Sequence, residues 1–428
     1  MKSEEDICKM TYKAYVTRVK DIQPIENADR LNKGFCFGNP VVIGKDVNET
    51  SLYIYFPTDG QLSMEYAETN NLLRKKDAEG NSIGGYLDPE KRNIKAISLR
   101  GTKSDGLVMP LSSLEPFGDI TQLKYGDTID EFNGHLICTK YIPKRSGQKQ
   151  SGVKKSGIVK EIICPQFKEH KDTEQLAFNS DAFRAGDIVE ITLKMHGTSQ
   201  RTGYLPVKKY RKNILHKIFK KQGNAYEEYT YITGTRRVVL GSFDEEFRKI
   251  HADKLEGKLH KGETVYYEIV GYVNQSTTIM PACKNSKLQD KEFSKKYGDE
   301  TVFHYGCEPA TSEMYVYRMT LTNTDGETVE YPYHLIQARC EQMGLNVVPL
   351  FDRFIYTTEQ DLLDHVHVYE EGQDPIGKTH IREGVVVRIE NRVNFTAFKS
   401  KNFQFKVLEG IVKESATAPD MEEAQEVC

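Results

Sequence analysis

The stretch DIVEITLKMHGTSQRTGYLPV, Asp187 to Val207, sets a lysine, Lys194, at the end of an apolar run and follows it with Gly197, Thr198 and Arg201. Val189, Ile191 and Leu193 stand two residues apart, so they share the buried face of one strand. A lysine there can act as a nucleophile or simply snorkel to solvent. As a nucleophile it must be neutral, and an ordinary lysine, with a pKa of about 10.4, is almost wholly protonated near pH 7. Chemistry at Lys194 therefore calls for desolvation, neighbouring cations or a metal. Lys-x-x-Gly alone is a weak signal, because the chain contains it eight times.

What sets Lys194 apart is the order of charged and aromatic residues downstream. Arg236 lies in TGTRRVVL, and Glu268 interrupts the apolar run VYYEIVGY. A carboxylate in such a strand needs solvent or a partner. Tyr315 and Tyr317 belong to MYVYRM, Glu383 opens the strand-like REGVVVRIE, and Lys399 and Lys401 stand two apart in FKSKNFQFK. That last spacing puts both lysines on one side of an extended chain. Met singly, each has an ordinary structural reading: core aromatics, solvated strand-end carboxylates, surface ion pairs.

The elements that position these residues are legible in outline. The chain has 428 residues, is 38% hydrophobic and 28% charged, and carries a net charge of −3. That length allows two or three domains. No apolar run approaches the length of a membrane span, and the N-terminus MKSEEDICKM is too polar for a signal peptide, so an intracellular protein is expected, with no membrane partner and no obligate protein partner evident. The eight cysteines include no CxxC pair, which argues for reduced thiols rather than a zinc knuckle or a disulfide frame.

Residues 1–142 alternate in short runs, Tyr12 to Val19 and Ser51 to Phe56 among them, with turn signals at Asn39-Pro40, Asp59-Gly60 and Asn133-Gly134. This predicts a small β-barrel. Residues 143–160 read as a basic Gly/Ser linker, with six Lys/Arg and no acidic residue. Residues 161–410 mix strand patterns (187–194, 264–272, 314–320, 384–389) with helical ones (244–258, 333–343), which predicts an α+β domain with antiparallel sheets. Residues 411–428 read as an acidic, disordered tail. Two sets of cations could contact nucleic-acid phosphates: the insert Lys208 to Gln222, with seven Lys/Arg, which reads equally as a solvated loop or helix, and Arg18, Lys20, Arg100 and Lys103 in the barrel, which reads otherwise as purely structural.

In order and type, Lys194, Glu268, the aromatic strand, Glu383 and the lysine pair resemble the motifs of the covalent nucleotidyltransferase superfamily, whose catalytic domain is ATP-grasp-like. Lys-x-His-Gly-Thr looks more like its ATP-dependent RNA ligases than its DNA ligases or mRNA guanylyltransferases, which usually have aspartate where His196 stands; those two, and a non-catalytic RNA-binding relic of the fold, are the alternatives. RVKDIQPIENADRL, 18–31, and NIKAISLRGTKSDGLVMPLSSL, 93–114, resemble the OB-fold domain that precedes the catalytic domain in nick-sealing members. Arg318, where the family often has aspartate, departs from the pattern.

The resemblance implies ATP and Mg²⁺ (or Mn²⁺) as cofactors and nicked duplex RNA or RNA/DNA hybrid ends as partners. It implies Lys194 as the nucleophile that carries AMP, with Glu383 serving the metal or orienting Lys194. Lys399 and Lys401 would act on the α-phosphate, and Glu268 would bind the ribose. Arg201 and Arg236 would meet phosphate or the RNA end. Tyr315 or Tyr317, with Tyr317 favoured, would stack on adenine, and Gly197 and Thr198 would complete the nucleotide site. His196 is expected to pack locally. The DTEQ stretch, 172–175, is a further candidate for the pocket.

Overall fold

Alternation of apolar residues dictates most of the architecture. The structure, a computed structural model, describes residues 12–141 and 164–414 apart from positions 27, 29, 77–81, 86, 100–101, 172, 212–223, 237, 242, 244–245 and 289. The basic linker, most of the basic insert, Arg100, Asp172 and the acidic tail beyond Glu414 lie outside the described residues. The chain divides into two units, one of residues 1–144 with 406–410 and one of 145–405 with 411–428.

In the first unit, Ala14–Thr17 pairs antiparallel with Tyr53–Phe56 and Thr128–Ile129, and Leu107–Pro110 pairs with Tyr53–Phe56. Lys20–Pro24, Leu31–Cys36 and Asn39–Gly44 form a three-stranded sheet. Val16, Ile54, Phe56, Leu62, Tyr66 and Leu114 meet in one core. Asn133 (φ 48°) and Gly134 (φ 82°) make the expected tight turn, with both central residues at positive φ. The Asn39-Pro40 signal is displaced: Phe37 (φ 49°) and Gly38 (φ 74°) turn the chain, and Asn39 already begins a strand.

The second unit holds a five-stranded and a seven-stranded sheet, both mainly antiparallel. In the first sheet Ile188–Lys194 lies between Leu350–Ile355 and Gly384–Ile389, and Ala397–Lys401 flanks the latter. Val189 and Ile191 enter a core with Val385, Val387, Ile389 and Phe398, closed by Leu362 and Val366 of the helix Glu359–Glu370. That helix starts where the Thr358 side chain accepts the Asp361 N–H, with Glu359 and Asp361 in its first turn. The helix Tyr333–Met343 follows Pro332 and ends on left-handed Gly344 (φ 68°). In the seven-stranded sheet Thr198–Arg211, Glu263–Gly271 and Ser312–Thr322 are neighbours. The expected helix at 244–258 is shorter, Glu246–Asp253.

Candidate active site

Strand register brings Lys194 to Glu383. Lys194 pairs with Gly384, which pairs on its other side with Lys401. Gly384 has φ 150°, and a Cβ there would lie 2.1 Å from the Ser400 carbonyl oxygen, so only glycine lets these strands approach. Lys194 Nζ then donates to Glu383 Oε1 at 2.7 Å, and Lys401 Nζ stands 3.4 Å from the same oxygen. The three side chains are 12%, 2% and 8% exposed in the order Lys194, Glu383, Lys401. Among the described residues, Glu383 Oε2 is buried without a hydrogen bond. Lys399, two residues from Lys401, shares its side of the strand Ala397–Lys401.

Residues alternating with the core face point into a cavity of about 750 Å³, its open mouth included. Its lining includes Lys194, Arg236, Glu268, Tyr317 and Val386, with Thr173 from the DTEQ stretch. Ser199 and Tyr315 stand opposite Glu268 on the two neighbouring strands, and the Tyr317 hydroxyl lies 2.9 Å from the Ser199 hydroxyl. Burial, then the charge of Glu268, pushes the Tyr317 phenol well up, so it stays neutral. Gly197 allows the close packing of the turn after Lys194: a Cβ on it would meet the Ile269 carbonyl oxygen at 2.4 Å and Glu268 Cγ at 2.9 Å.

Several expected contacts are not in the lining. Arg201 is 2% exposed and donates to the carbonyls of Lys168 (3.0 Å) and Arg236 (2.8 Å), with its guanidinium over the Phe167 ring. Through Nη1 it holds the backbone that carries Arg236. Thr198 is buried and its hydroxyl accepts from Arg248 Nη2 at 2.7 Å, and Gly197 is covered by the neighbouring strand, so both shape the turn. Of the two tyrosines, Tyr317 lines the cavity and Tyr315 does not. Glu383, Lys399 and Lys401 are likewise outside the lining; Glu383 meets Lys194 there, and Lys401 meets Glu383. His196 packs edge-on against Phe303 and Phe405, and its backbone N–H donates to the Tyr305 hydroxyl at 2.7 Å. Its Nδ1 also stands 3.8 Å from Glu383 Oε2.

Other cavity residues were not singled out in the sequence: His170 and Phe395, Glu190 in the Lys194 stretch, and Arg388 and Glu390 in REGVVVRIE. Glu190 had a usable signal, because it sits four residues before Lys194 and so on the same strand face. Arg318 explains its own departure. It pairs bidentately with Glu330 (2.9 and 2.5 Å), lies between the rings of Tyr266 and Phe395, and reaches His170 Nδ1 at 3.2 Å. A guanidinium only donates, so that histidine nitrogen is the acceptor.

A two-sheet domain with a lysine at a strand end, a glutamate against it and an aromatic-walled cavity beside it belongs to the nucleotidyltransferase type. The profile of the RNA ligase family matches residues 187–408, and the chain belongs to that family. An OB-fold domain profile matches residues 13–111. No curated protein sequence gives a significant match. Among solved structures, a glutamate-to-alanine variant of Naegleria gruberi RNA ligase with ATP and Mn is 18% identical, covering 92% of this chain and 98% of that one at a TM-score of 0.55. A second such variant with AMP and Mn is 17% identical, covering 92% and 97% at 0.55. An apo variant is 16% identical, covering 93% and 98% at 0.56. At these identities the likeness is one of fold, an OB-fold domain followed by an α+β ligase domain.

Proposed function

We propose that the protein is an ATP-dependent RNA ligase that joins 3′-OH and 5′-phosphate RNA ends, with Lys194 as its covalent nucleophile. One observation carries the reading: the Lys194 ammonium is held by a buried glutamate, has a second lysine beside it, and opens into a cavity walled by Glu268, Tyr317 and Arg236. The neutral amine attacks the α-phosphorus of ATP, a P–N bond forms, the bond to the β-phosphate breaks, and pyrophosphate leaves. The lysine proton goes to Glu383 or solvent. AMP then passes to the RNA 5′-phosphate, freeing Lys194, and the 3′-OH displaces AMP as the phosphodiester forms.

Lys401, with Lys399 beside it, supplies positive charge for the α-phosphate. Tyr317 offers a face for the base and Glu268 an acceptor for the ribose. Arg236, its backbone held by Arg201, serves phosphate.

Among the described residues, no group of three or more His, Cys, Asp or Glu side chains gathers to hold a metal ion. A hard cation that takes one carboxylate and fills its remaining positions with phosphate oxygen and water still fits, and Mg²⁺ (or Mn²⁺) commonly binds so. Glu383, whose buried Oε2 accepts no hydrogen bond among the described residues and stands 3.8 Å from His196 Nδ1, would be its carboxylate ligand. Such an ion would supply positive charge against the phosphates.

The OB-fold domain, within residues 1–142, and the basic insert 208–222 would contribute RNA contacts, with 143–160 as a linker and the ligase domain in 161–410. No described helix is long and apolar enough to cross a membrane. The test is sealing of nicked duplexes with ATP and Mg²⁺, the 3′-OH strand being RNA or DNA. We expect a joined product with an RNA 3′-OH, and accumulation of AMP-capped 5′-phosphate strand when that hydroxyl is missing. Equal sealing of all-DNA nicks would contradict the RNA assignment.

A further inference from the structure

Met195, His196 and Gly197 carry the chain from the end of the Lys194 strand, in the five-stranded sheet, to Thr198 at the start of the next strand, in the seven-stranded sheet. The nucleophile is the last residue before this crossover. A shift of the crossover therefore moves Lys194 against Glu383 and the cavity alike.

The segment Phe303 to Tyr305 grips the crossover at its middle residue. The Tyr305 hydroxyl accepts the His196 backbone N–H at 2.7 Å, and the Phe303 ring lies edge-on to the His196 ring at 4.7 Å. Tyr305 is 3% exposed and lies outside the cavity lining. Packing of its ring would be met as well by phenylalanine; only the hydroxyl satisfies the buried N–H.

Tyr305 makes this contact from an uncommon backbone conformation. Its φ is 52°, in the left-handed region that a bulky side chain rarely adopts, and Gly306 follows at φ 78°. Such strain persists only where the surroundings over-determine it. Here the loop 374–378 does so. The buried Asp374 carboxylate accepts the backbone N–H groups of Ile376, Gly377 and Lys378. Gly377 then lies so close that a Cβ on it would stand 2.3 Å from the Gly306 nitrogen and 2.4 Å from the Tyr305 carbonyl carbon. Just beyond this loop the buried His380 packs edge-on to the Tyr305 ring at 4.4 Å, and its Nδ1–H donates to the Ile381 carbonyl at 2.7 Å. Glu383 follows on the same stretch of chain. One packed unit thus carries both the carboxylate that faces Lys194 and the loop that seats the tyrosine holding its crossover.

We propose that Tyr305 is a positioning residue for the nucleophile: its hydroxyl fixes the crossover so that Lys194 meets Glu383 and the cavity in one geometry. It acts through the backbone and not by touching the nucleotide. Attack at phosphorus needs close alignment, and a misplacement of about 1 Å can cost about a hundredfold in rate. Binding of ATP by the other cavity residues does not need it. The inference rests on the nucleotide-transfer reading above and goes beyond it by naming what holds Lys194 in line.

Tyr305→Phe keeps the ring and removes the hydroxyl. Two single-turnover rates read on the same preparation test the proposal: covalent labelling from α-labelled ATP, which needs Lys194 in line, and sealing of a nick whose 5′-phosphate strand already carries AMP, which forms no bond to Lys194. Their ratio does not depend on the fraction of protein folded. Labelling at saturating ATP should fall about tenfold or more, with the apparent KM for ATP changed by less than about twofold and sealing of the pre-adenylated strand within about threefold of wild type. Gly377→Ala pushes on the Tyr305 backbone from outside the site and should lower the same ratio, so the test stands even where the phenylalanine variant does not fold. An unchanged ratio in either variant, or a fall in labelling carried by KM alone, would overturn the proposal and leave the Lys194 chemistry untouched. A wild-type protein that takes no label from ATP would overturn the nucleotide-transfer reading and this inference with it.

Discussion

Replacing Lys401 by methionine should make Lys194 harder to deprotonate. Both ammonium groups face one oxygen, Glu383 Oε1, at 2.7 Å for Lys194 and 3.4 Å for Lys401. They are therefore no more than about 6 Å apart, where two unit charges at an effective dielectric of about 20 repel by about 3 kcal/mol. Each 1.36 kcal/mol is about one unit on the pH axis, and solvent at the cavity mouth screens part of the repulsion, so about one to two units should remain. Lys401→Met removes that repulsion and lets Glu383 hold the Lys194 proton more firmly. The assay is the single-turnover rate of covalent labelling from α-labelled ATP between pH 5.5 and 10. The midpoint of its rising limb should move to higher pH by about one to two units. The plateau rate should fall too, since a phosphate-facing charge is lost, so the midpoint carries the test. A midpoint that stays in place, or moves to lower pH, would refute the reasoning that the second lysine helps activate the first.

Three further outcomes are expected. Tyr317→Phe loses only the contact with Ser199 (2.9 Å) and should change the apparent KM for ATP by less than about threefold, whereas Tyr317→Leu should raise it about tenfold or more, as expected for a stacking face worth about 1 to 3 kcal/mol; ATP titration of the labelling rate reads both. Arg201→Ala removes Nη1, the one nitrogen that donates to both the Lys168 and the Arg236 carbonyl, so urea unfolding should show a loss of about 2 to 3 kcal/mol. Glu190→Gln should be more stable than wild type at pH 8 by up to about 3 kcal/mol, the gain shrinking to nothing near pH 4.5. The sign follows from a folded value pushed up to about 7 by burial and next by the charge of Glu390, against an ordinary 4.5: stability from protonated Glu190 is full below pH 4.5 and is lost as pH rises through 7, and glutamine does not titrate. Thermal melting across that range measures it.

The parts legible in the sequence are those fixed by a strand's period of two. Val189, Ile191 and Leu193 face the core as their spacing requires, which leaves Lys194 on the other face at the strand end. The same rule puts Lys399 and Lys401 on one side of Ala397–Lys401. It does not say which of them reaches Glu383, because that depends on how closely Gly384 lets two strands approach. Arg201 shows the opposite limit. Its strand position was readable, yet its burial comes from Phe167, Lys168 and Arg236, segments distant in the chain. Glu190 was passed over because its meaning depends on Arg353, Arg388 and Glu390, which only tertiary folding gathers. Turn chemistry was readable to within a residue or two. Asn133-Gly134 turns as written, while Gly38, with its positive φ, takes the turn from Asn39-Pro40.

The account rests most directly on Lys194 becoming covalently attached to AMP. The measurement is incubation of the full chain, freed of pre-bound nucleotide, with α-labelled ATP and Mg²⁺, beside α-labelled GTP and a Lys194→Ala protein, followed by denaturing electrophoresis. The account predicts label on the protein from ATP, none from GTP, and none on the alanine variant. A folded protein that takes no label from ATP, or an alanine variant that labels as well as wild type, would contradict it.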